Sequence, residues 1–377
     1  MDVRAFDFDL PPELIAQEPA AERSAARLLH LHRDDGSLTH TVVSALPDLL
    51  RAGDLVVVNN TKVFPARLLG HRVPSGGAVE CLLVSRHRSD SGQTTVRPRS
   101  DHGQTTVRPR SDHGQTESDE EWEALMHPGQ KLKPGARIVF EGLHTLHGEV
   151  LERHFFGRRL IRLWTEDGTP LAAAIDAIGH VPLPPYIKRG DRADDRDRYQ
   201  TVFARERGSV AAPTAGLHFT PALLAALDAR GVHVAEITLH VGYGTFQPVR
   251  VDRVEDHHLD AEQYEISEQA ASVINQARDD GRRVIAVGTT TTRTLEAVAG
   301  AHAGRIAAGS GTTDLFIYPG YDFRIVGGLL TNFHLPRSSL LMLVAAFAGR
   351  ERVLAAYDAA IAERYRFYSY GDAMLIL

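Results

Sequence analysis

The sequence predicts an α/β fold: an α/β barrel-like body built from both chain ends, with a small antiparallel β-barrel domain inserted into it. Three observations carry this. Helix and strand signals alternate through the second half of the chain. A fully apolar run near the N-terminus, Asp54 to Asn59 (DLVVVN), has the same buried-strand character as runs in that second half. Between them the sequence holds only short β-rich runs parted by turn residues. The implied division is 1–62 with 179–377 for the body and 63–178 for the insert.

Within the insert, Ala78 to Ser85, Arg137 to Phe140, Gly148 to Glu152 and Arg159 to Trp164 read as strands. An exact tandem repeat interrupts them: GQTTVRPRSDH spans Gly92 to His102, recurs at Gly103 to His113 and restarts at Gly114. Two copies cannot stack into a solenoid, and their Pro, Ser, Gly and charge offer little apolar surface. The expectation is a mobile loop over 86–120.

In the body, Thr220 caps a helix that Pro221 opens and Gly231 stops, and Val232 to Val241 follows as a strand. Ser267 caps a second helix through Asp280, Val284 to Val287 is a buried strand, and Thr292 to Ala299 reads as helix. Asp314 to Tyr318, Gly328 to Thr331 and a helix over Ser338 to Ala348 continue the series.

Composition narrows the function classes. With 377 residues, 43% of them hydrophobic and 24% charged, the chain suits one large or two ordinary globular domains. A lone Cys81 excludes an intrachain disulfide, and no Cys/His spacing or histidine-carboxylate motif suggests a metal. The longest strongly apolar run, Leu340 to Phe347, is far short of the roughly 20 residues a bilayer span needs. The acidic N-terminus is unlike a signal peptide, so a cytoplasmic protein with no membrane partner is expected. Since 42 Lys and Arg face 48 Asp and Glu, any nucleic acid must be met by a local basic patch.

Five polar, glycine-rich segments sit at the ends of apolar strands, where parallel sheets place ligands. They are Asn59 to Lys62, Pro213 to Thr220, His240 to Phe246, Gly288 to Thr294 and Thr331 to Pro336. Each alone is an ordinary turn; together they suggest a polar pocket. Gly242-x-Gly244 after a strand also resembles a methyltransferase nucleotide loop, though the third glycine is missing. Gly288 to Thr294 offers N–H groups and hydroxyls at a helix start, with Arg293 adjacent, as an anion seat. Lys188, Arg189, Arg192, Arg196, Arg198, Arg205 and Arg207, with Tyr186, Tyr199 and Phe203 interleaved, form either a solvated linker neutralised by nearby acids or a phosphate-binding patch.

Longer strings then identify a family. FDFDLPPELIAQEPAAERSAARLL from Phe6, DLVVVNNTKVFPARL from Asp54, PTAGLHFT from Pro213, LHVGYGTFQPV from Leu239, VIAVGTTTTRTLE from Val284, the stretch Thr313 to Gly349 and YRFYSYGDAMLI from Tyr365 closely resemble the S-adenosylmethionine:tRNA ribosyltransferase-isomerases of queuosine biosynthesis. The resemblance implies transfer of the ribosyl part of S-adenosylmethionine, a co-substrate, onto 7-aminomethyl-7-deazaguanine at the tRNA wobble position. Epoxyqueuosine forms, and adenine and methionine leave. The chain departs from the common HxMHSEWYEI string at Asp260, Ala261 and Gln263, while Glu262 and Tyr264 match.

Such chemistry needs a base for the C5′ proton that the sulfonium acidifies, a proton donor and a dry pocket. On the resemblance, His218 or His240 is the expected base and Asp314 or Glu262 its partner carboxylate. Arg293, Thr289 and Thr290 are expected to seat the methionine carboxylate. Asn332 and His334 are expected to border the adenosine, with Gly216, Gly242 and Gly244 completing the cofactor loops. A monomer acting on tRNA is the implied assembly. A conventional S-adenosylmethionine-dependent RNA methyltransferase and a non-catalytic tRNA-binding protein are the competing readings.

Overall fold

The computed structural model describes residues 1–87, 119–154, 157–246 and 249–377. The tandem repeat lies outside the described residues. Two compact units divide the chain: Met1–Phe64 with Val181–Leu377, and Pro65–His180.

In the larger unit nine strands form a mixed sheet in the order β15-β13-β12-β3-β14-β16-β17-β1-β2. These are β1 (Arg27–Leu31), β2 (Leu38–Val42), β3 (Leu55–Asn59), β12 (His233–Leu239), β13 (Glu262–Ile266), β14 (Val284–Val287), β15 (Gly309–Thr313), β16 (Gly328–Asn332) and β17 (Ala373–Ile376). The short β4 (Thr61–Val63) and β11 (Glu206–Ser209) pair separately, in parallel. β12, β3, β14 and β16 run parallel to one another, with Val57 registered against both Ala235 and Ala286.

β3, β14 and the start of β16 are apolar because both faces of the sheet are covered there, whereas β12 exposes His233 and Val234 and carries Glu236. Alternate side chains point to opposite faces. Leu55, Val57, Ala286 and Leu329 pack with α5 (Glu268–Asp279), α6 (Thr289–Ala301), α7 (Ser339–Ala348) and α8 (Arg350–Ala362). Val56, Val58, Ile285 and Leu330 pack instead with α1 (Leu46–Leu49) and α4 (Pro221–Ala229). Thr220 caps α4 through Leu223 N, Ser267 caps α5 and Ser338 caps α7, each by accepting a backbone N–H. The remaining helix of this unit is α3 (Asp195–Arg198).

The smaller unit is a closed antiparallel barrel in the order β10-β7-β6-β5-β8-β9. Its strands are β5 (Arg67–Val73), β6 (Ala78–His87), β7 (Glu120–His127), β8 (Arg137–Phe140), β9 (Leu146–Arg153) and β10 (Arg158–Thr165), followed by α2 (Leu171–Ile178). Strict alternation in β6 and β9 fills the interior with Val79, Cys81, Leu83, Leu146 and Val150.

Three sequence expectations are corrected. The 86–120 loop is too broad at its ends: β6 continues through His87 and β7 begins at Glu120, where Arg86 pairs with Glu120. Asp314 to Tyr318 is not a strand; β15 precedes it, and its apolar residues instead pack irregularly on the core. The helix expected from Thr292 starts at Thr289, because three threonine hydroxyls that could break a helix bond back to carbonyls one turn earlier.

Glu296, fully buried on α6, ties this helix to the entry of β16. Its carboxylate accepts the N–H groups of Arg324 (2.9 Å), Ile325 (3.1 Å) and Val326 (2.9 Å). Removing it leaves three N–H groups inside the protein without an acceptor. Glu296→Ala should therefore lower the unfolding free energy by about 3 kcal/mol or more, read from urea melts, and Glu296→Gln by less. Wild-type stability for the alanine variant would refute this role.

Candidate active site

The larger unit contains a cavity of about 740 Å³, within the ~300–1,000 Å³ typical of small-ligand sites. Four of the five polar segments reach it: Pro213 to Ala215, Val241, Gly288 to Thr290, and Thr331 to Pro336. The last three arrive together because the parallel strands β12, β14 and β16 end at the same edge of the sheet, and Pro213 to Ala215 follows a stretch tied to Val241 by the Val210 N–H (3.1 Å to Val241 O). The fifth, Asn59 to Lys62, lies outside the lining and supports it. Asn59 accepts Leu239 N–H (3.0 Å) and donates to Leu239 O (2.9 Å), fixing the end of β12.

Gly288 turns the chain from β14 into α6 with φ of +91°, a conformation that favours glycine. Thr289 and Thr290 then present the first turn of α6 to the cavity. Thr291, Thr292 and Thr294 spend their hydroxyls on helix carbonyls; those of Thr289 and Thr290 have no protein partner among the described residues. N–H groups at a helix start beside free hydroxyls suit a carboxylate.

On the opposite segment His334 is buried and lines the cavity. Its Nε2 shares a hydrogen bond with Thr331 Oγ1 (2.8 Å), and its backbone N–H donates to Tyr357 OH (2.9 Å). Burial holds the imidazole down to about 3, so it is neutral at physiological pH. Asn332, also in the lining, donates Nδ2 to Tyr368 O (2.9 Å).

The other expected residues stand behind this wall. His218 is buried next to the small hollow formed with Arg23, Arg198 and Tyr370, outside the cavity lining. Burial lowers it to about 4, against the pull of Asp372. His240 also lies outside the lining; its Nδ1 meets Thr61 Oγ1 at 2.8 Å, and burial lowers its pKa. The ring occupies the space over Gly208, where a Cβ would approach it to 2.7 Å. Arg293 does not reach the cavity: it donates to Glu262 Oε2 (2.7 Å) and Leu315 O (2.9 Å), forming a buried ion pair. Glu262 also accepts Gly242 N–H (2.9 Å), so this pair anchors the loop after β12. Gly244 packs against Asp260, and Gly216 against Phe203 and Thr201. Asp314 is exposed and borders nothing in the cavity.

The basic cluster is largely spent on internal partners. Arg189 forks onto Asp195 (2.6 and 2.9 Å) and reaches Glu18 (3.1 Å); Arg198 donates to the carbonyls of Ala20 and Ala21. Arg192 pairs with Glu18 (3.0 Å) and Arg205 with Glu236 (2.5 Å), while the Lys188 side chain is exposed.

Tyr186, an aromatic of the basic stretch, lines the cavity, whereas sequence reasoning missed Arg4, Arg250, Arg337 and Tyr368, also in the lining. Nothing local marks them, since none belongs to a glycine-rich segment except Arg337, which follows one. Asp260, Ala261 and Gln263, the departures from the family string, are exposed, whereas Glu262 between them is buried. Among the described residues no group of three His, Cys, Asp or Glu is placed to hold a metal. No described helix is long and apolar enough to cross a membrane.

Known proteins resemble this chain along its whole length. The model of a family described as queuosine biosynthesis protein matches residues 3–376. The S-adenosylmethionine:tRNA ribosyltransferase-isomerase of Desulfitobacterium hafniense is 48% identical over 377 residues, covering 100% of both chains. That of Solibacter usitatus is 49% identical over 382 residues, again covering 100% of each. The crystal structure of S-adenosylmethionine tRNA ribosyltransferase from Thermotoga maritima shares 35% identity with a TM-score of 0.52, covering 99% of this chain and 100% of that one. With a family match across almost its whole length, the chain belongs to the queuosine biosynthesis protein family.

Proposed function

We propose that this protein is an S-adenosylmethionine:tRNA ribosyltransferase-isomerase. It moves the ribosyl part of S-adenosylmethionine onto 7-aminomethyl-7-deazaguanine at the wobble position of tRNA, giving epoxyqueuosine and releasing adenine and methionine. The full-length relatives of that name support the activity. The observation that carries the site is the meeting of four glycine- and hydroxyl-rich segments on one cavity of about 740 Å³.

S-adenosylmethionine suits these residues. The first turn of α6, with Thr289 and Thr290, offers its carboxylate donors that the protein leaves unused. Apolar Val241, Phe333 and Leu335 flank the polar groups and exclude water from the reacting centre. The sulfonium acidifies the adjoining C5′ hydrogens, and a neutral acceptor within reach must take one. Of the three histidines only His334 borders the cavity. Its Nε2 shares a hydrogen bond with Thr331, and in the tautomer that carries the proton on Nε2 the acceptor is Nδ1. His218 and His240 act as positioning residues beneath the wall, and the Glu262–Arg293 pair fixes the loop that carries Val241.

Labelled S-adenosylmethionine incubated with tRNA bearing the deazaguanine should yield adenine and methionine; S-adenosylhomocysteine would instead establish a methyltransferase, and no consumption a binding protein. His334→Gln should lower kcat about 100-fold with S-adenosylmethionine affinity nearly intact, and unchanged turnover would remove it from the proton-transfer role. Thr290→Val should raise the KM for S-adenosylmethionine about tenfold, equivalent to about 1.4 kcal/mol, with little change in kcat.

The histidines also predict a pH response. Burial lowers His218 to about 4 and His334 to about 3, while both titrate near 6.5 when unfolded. The unfolded chain therefore binds more protons between these values, so the stability due to the neutral rings is complete above pH ~6.5 and declines as pH falls towards 4. Urea melts from pH 7 to pH 4.5 should show this decline, and it should be shallower in His218→Gln.

A further inference from the structure

We propose that the hydroxyl of Tyr368 donates a hydrogen bond to adenine as it leaves, stabilising the charge that gathers on the purine when its bond to the ribose breaks. The inference rests on the reading of the cavity as the site of ribosyl transfer.

The reaction asks for such a donor at one leaving group only. Methionine departs as a neutral thioether and needs none. Adenine departs with the electron pair of the C1′–N9 bond, so negative charge develops on its ring nitrogens, where a preorganised donor acts on the transition state. O4′ lends C1′ a lone pair in exchange. The proton that His334 removes from C5′ is the one adenine finally carries, so no further reactant is consumed and both side chains return to their starting state.

The lining narrows the choice of donor. Its charged members other than His334 (Asp2, Arg4, Arg250, Asp252 and Arg337) are all exposed, whereas a donor gains strength where water is excluded. Among the buried members, Thr331 shares its hydrogen bond with His334, Ser369 shares one with Tyr186 OH, and the Asn332 amide donates to Tyr368 O (2.9 Å). Thr289 and Thr290 belong to the carboxylate seat at the start of α6. That leaves the Tyr368 hydroxyl, which is buried and has no hydrogen-bond partner among the described residues. An O–H so placed costs free energy until an acceptor reaches it.

The backbone holds this ring in place against its own preference. Tyr368 has a φ of +75°, a left-handed conformation uncommon for a side chain of this size. Three hydrogen bonds keep it there: its N–H donates to Phe333 O (3.1 Å), and its carbonyl accepts from Asn332 Nδ2 and from Gly371 N–H (2.8 Å). Since Asn332 and Phe333 directly precede His334, the phenol is tied to the strand end that carries the base. Its ring also packs on that of Tyr186, with centroids 4.1 Å apart. Burial, with Tyr186 and Tyr357 close by, pushes the phenol well above its usual range, so it keeps its proton and serves as a donor.

The test uses the full-length protein with deazaguanine-bearing tRNA and two co-substrates, S-adenosylmethionine and its analogue carrying 8-azaadenine, an electron-poor purine that leaves more readily. Tyr368→Phe keeps the ring and removes only the hydroxyl. With S-adenosylmethionine it should lower kcat for purine release about 100-fold, with KM changed by no more than about threefold. With the analogue the deficit should shrink to about tenfold, because a better leaving group needs the donor less. Partial misfolding lowers the active fraction for both co-substrates equally and so cannot imitate this ratio. Equal deficits for the two, a loss confined to KM, or a variant kcat within about twofold of wild type would each overturn the inference while leaving the ribosyltransferase reading intact. Failure of the wild-type protein to release adenine would overturn that reading, and the inference with it.

Discussion

The sealing of the central sheet on both faces governs the rest of this molecule. β3, β14 and β16 carry apolar side chains to the α5–α8 layer and to the α1 and α4 layer in alternation, and β12 carries Ala235 and Ile237 to the first, so no polar chemistry can emerge from the middle of β3, β14 or β16. Polar residues are admitted only where the strands stop. Because these four strands are parallel and in register, they stop together. The cavity is the consequence of that shared ending, and its walls are the turns each strand makes on leaving the sheet.

Such turns would be poorly fixed were they held by water-exposed contacts. Here buried acids pin them. Glu262 joins the loop after β12 to Arg293 on α6, and Glu296 joins the same helix to the approach of β16. One helix thus references two walls of the cavity through Arg293 and Glu296 on neighbouring turns. Buried acids of this kind cost desolvation energy, offset only when each oxygen finds donors. What they contribute is geometric definition at the place where reacting atoms must be held within a fraction of an ångström.

Much of this was legible in the sequence, for identifiable reasons. Thr220-Pro221, Ser267 and Ser338 mark helix starts because capping is local chemistry, and DLVVVN and VIAV mark buried strands because both faces must be apolar. The polar segments could be recognised as strand ends, and four of the five do border the cavity. Side-chain direction was not legible. Arg293 sits beside Thr289 and Thr290 in the sequence, yet helical geometry turns it away from the cavity and toward Glu262. His218 and His240 likewise occupy the right segments while facing inward. Arg4 and Arg250 carried no signal, because backbone pairing between residues nearly 250 positions apart brings them to one wall.

The pairing of arginines with nearby acids bears on how charge is read from sequence. The 188–205 stretch is dense in basic residues, and density invites a nucleic-acid reading. Yet density on a short stretch also brings acids within reach: Asp195 and Glu18 collect Arg189 and Arg192, and exposed carbonyls collect Arg198. A cation whose donors are already occupied releases few counterions when a phosphate approaches, and so adds little to affinity. The same rule reaches the cavity wall, where Arg4 forks onto Asp2 of its own segment (3.1 and 2.7 Å).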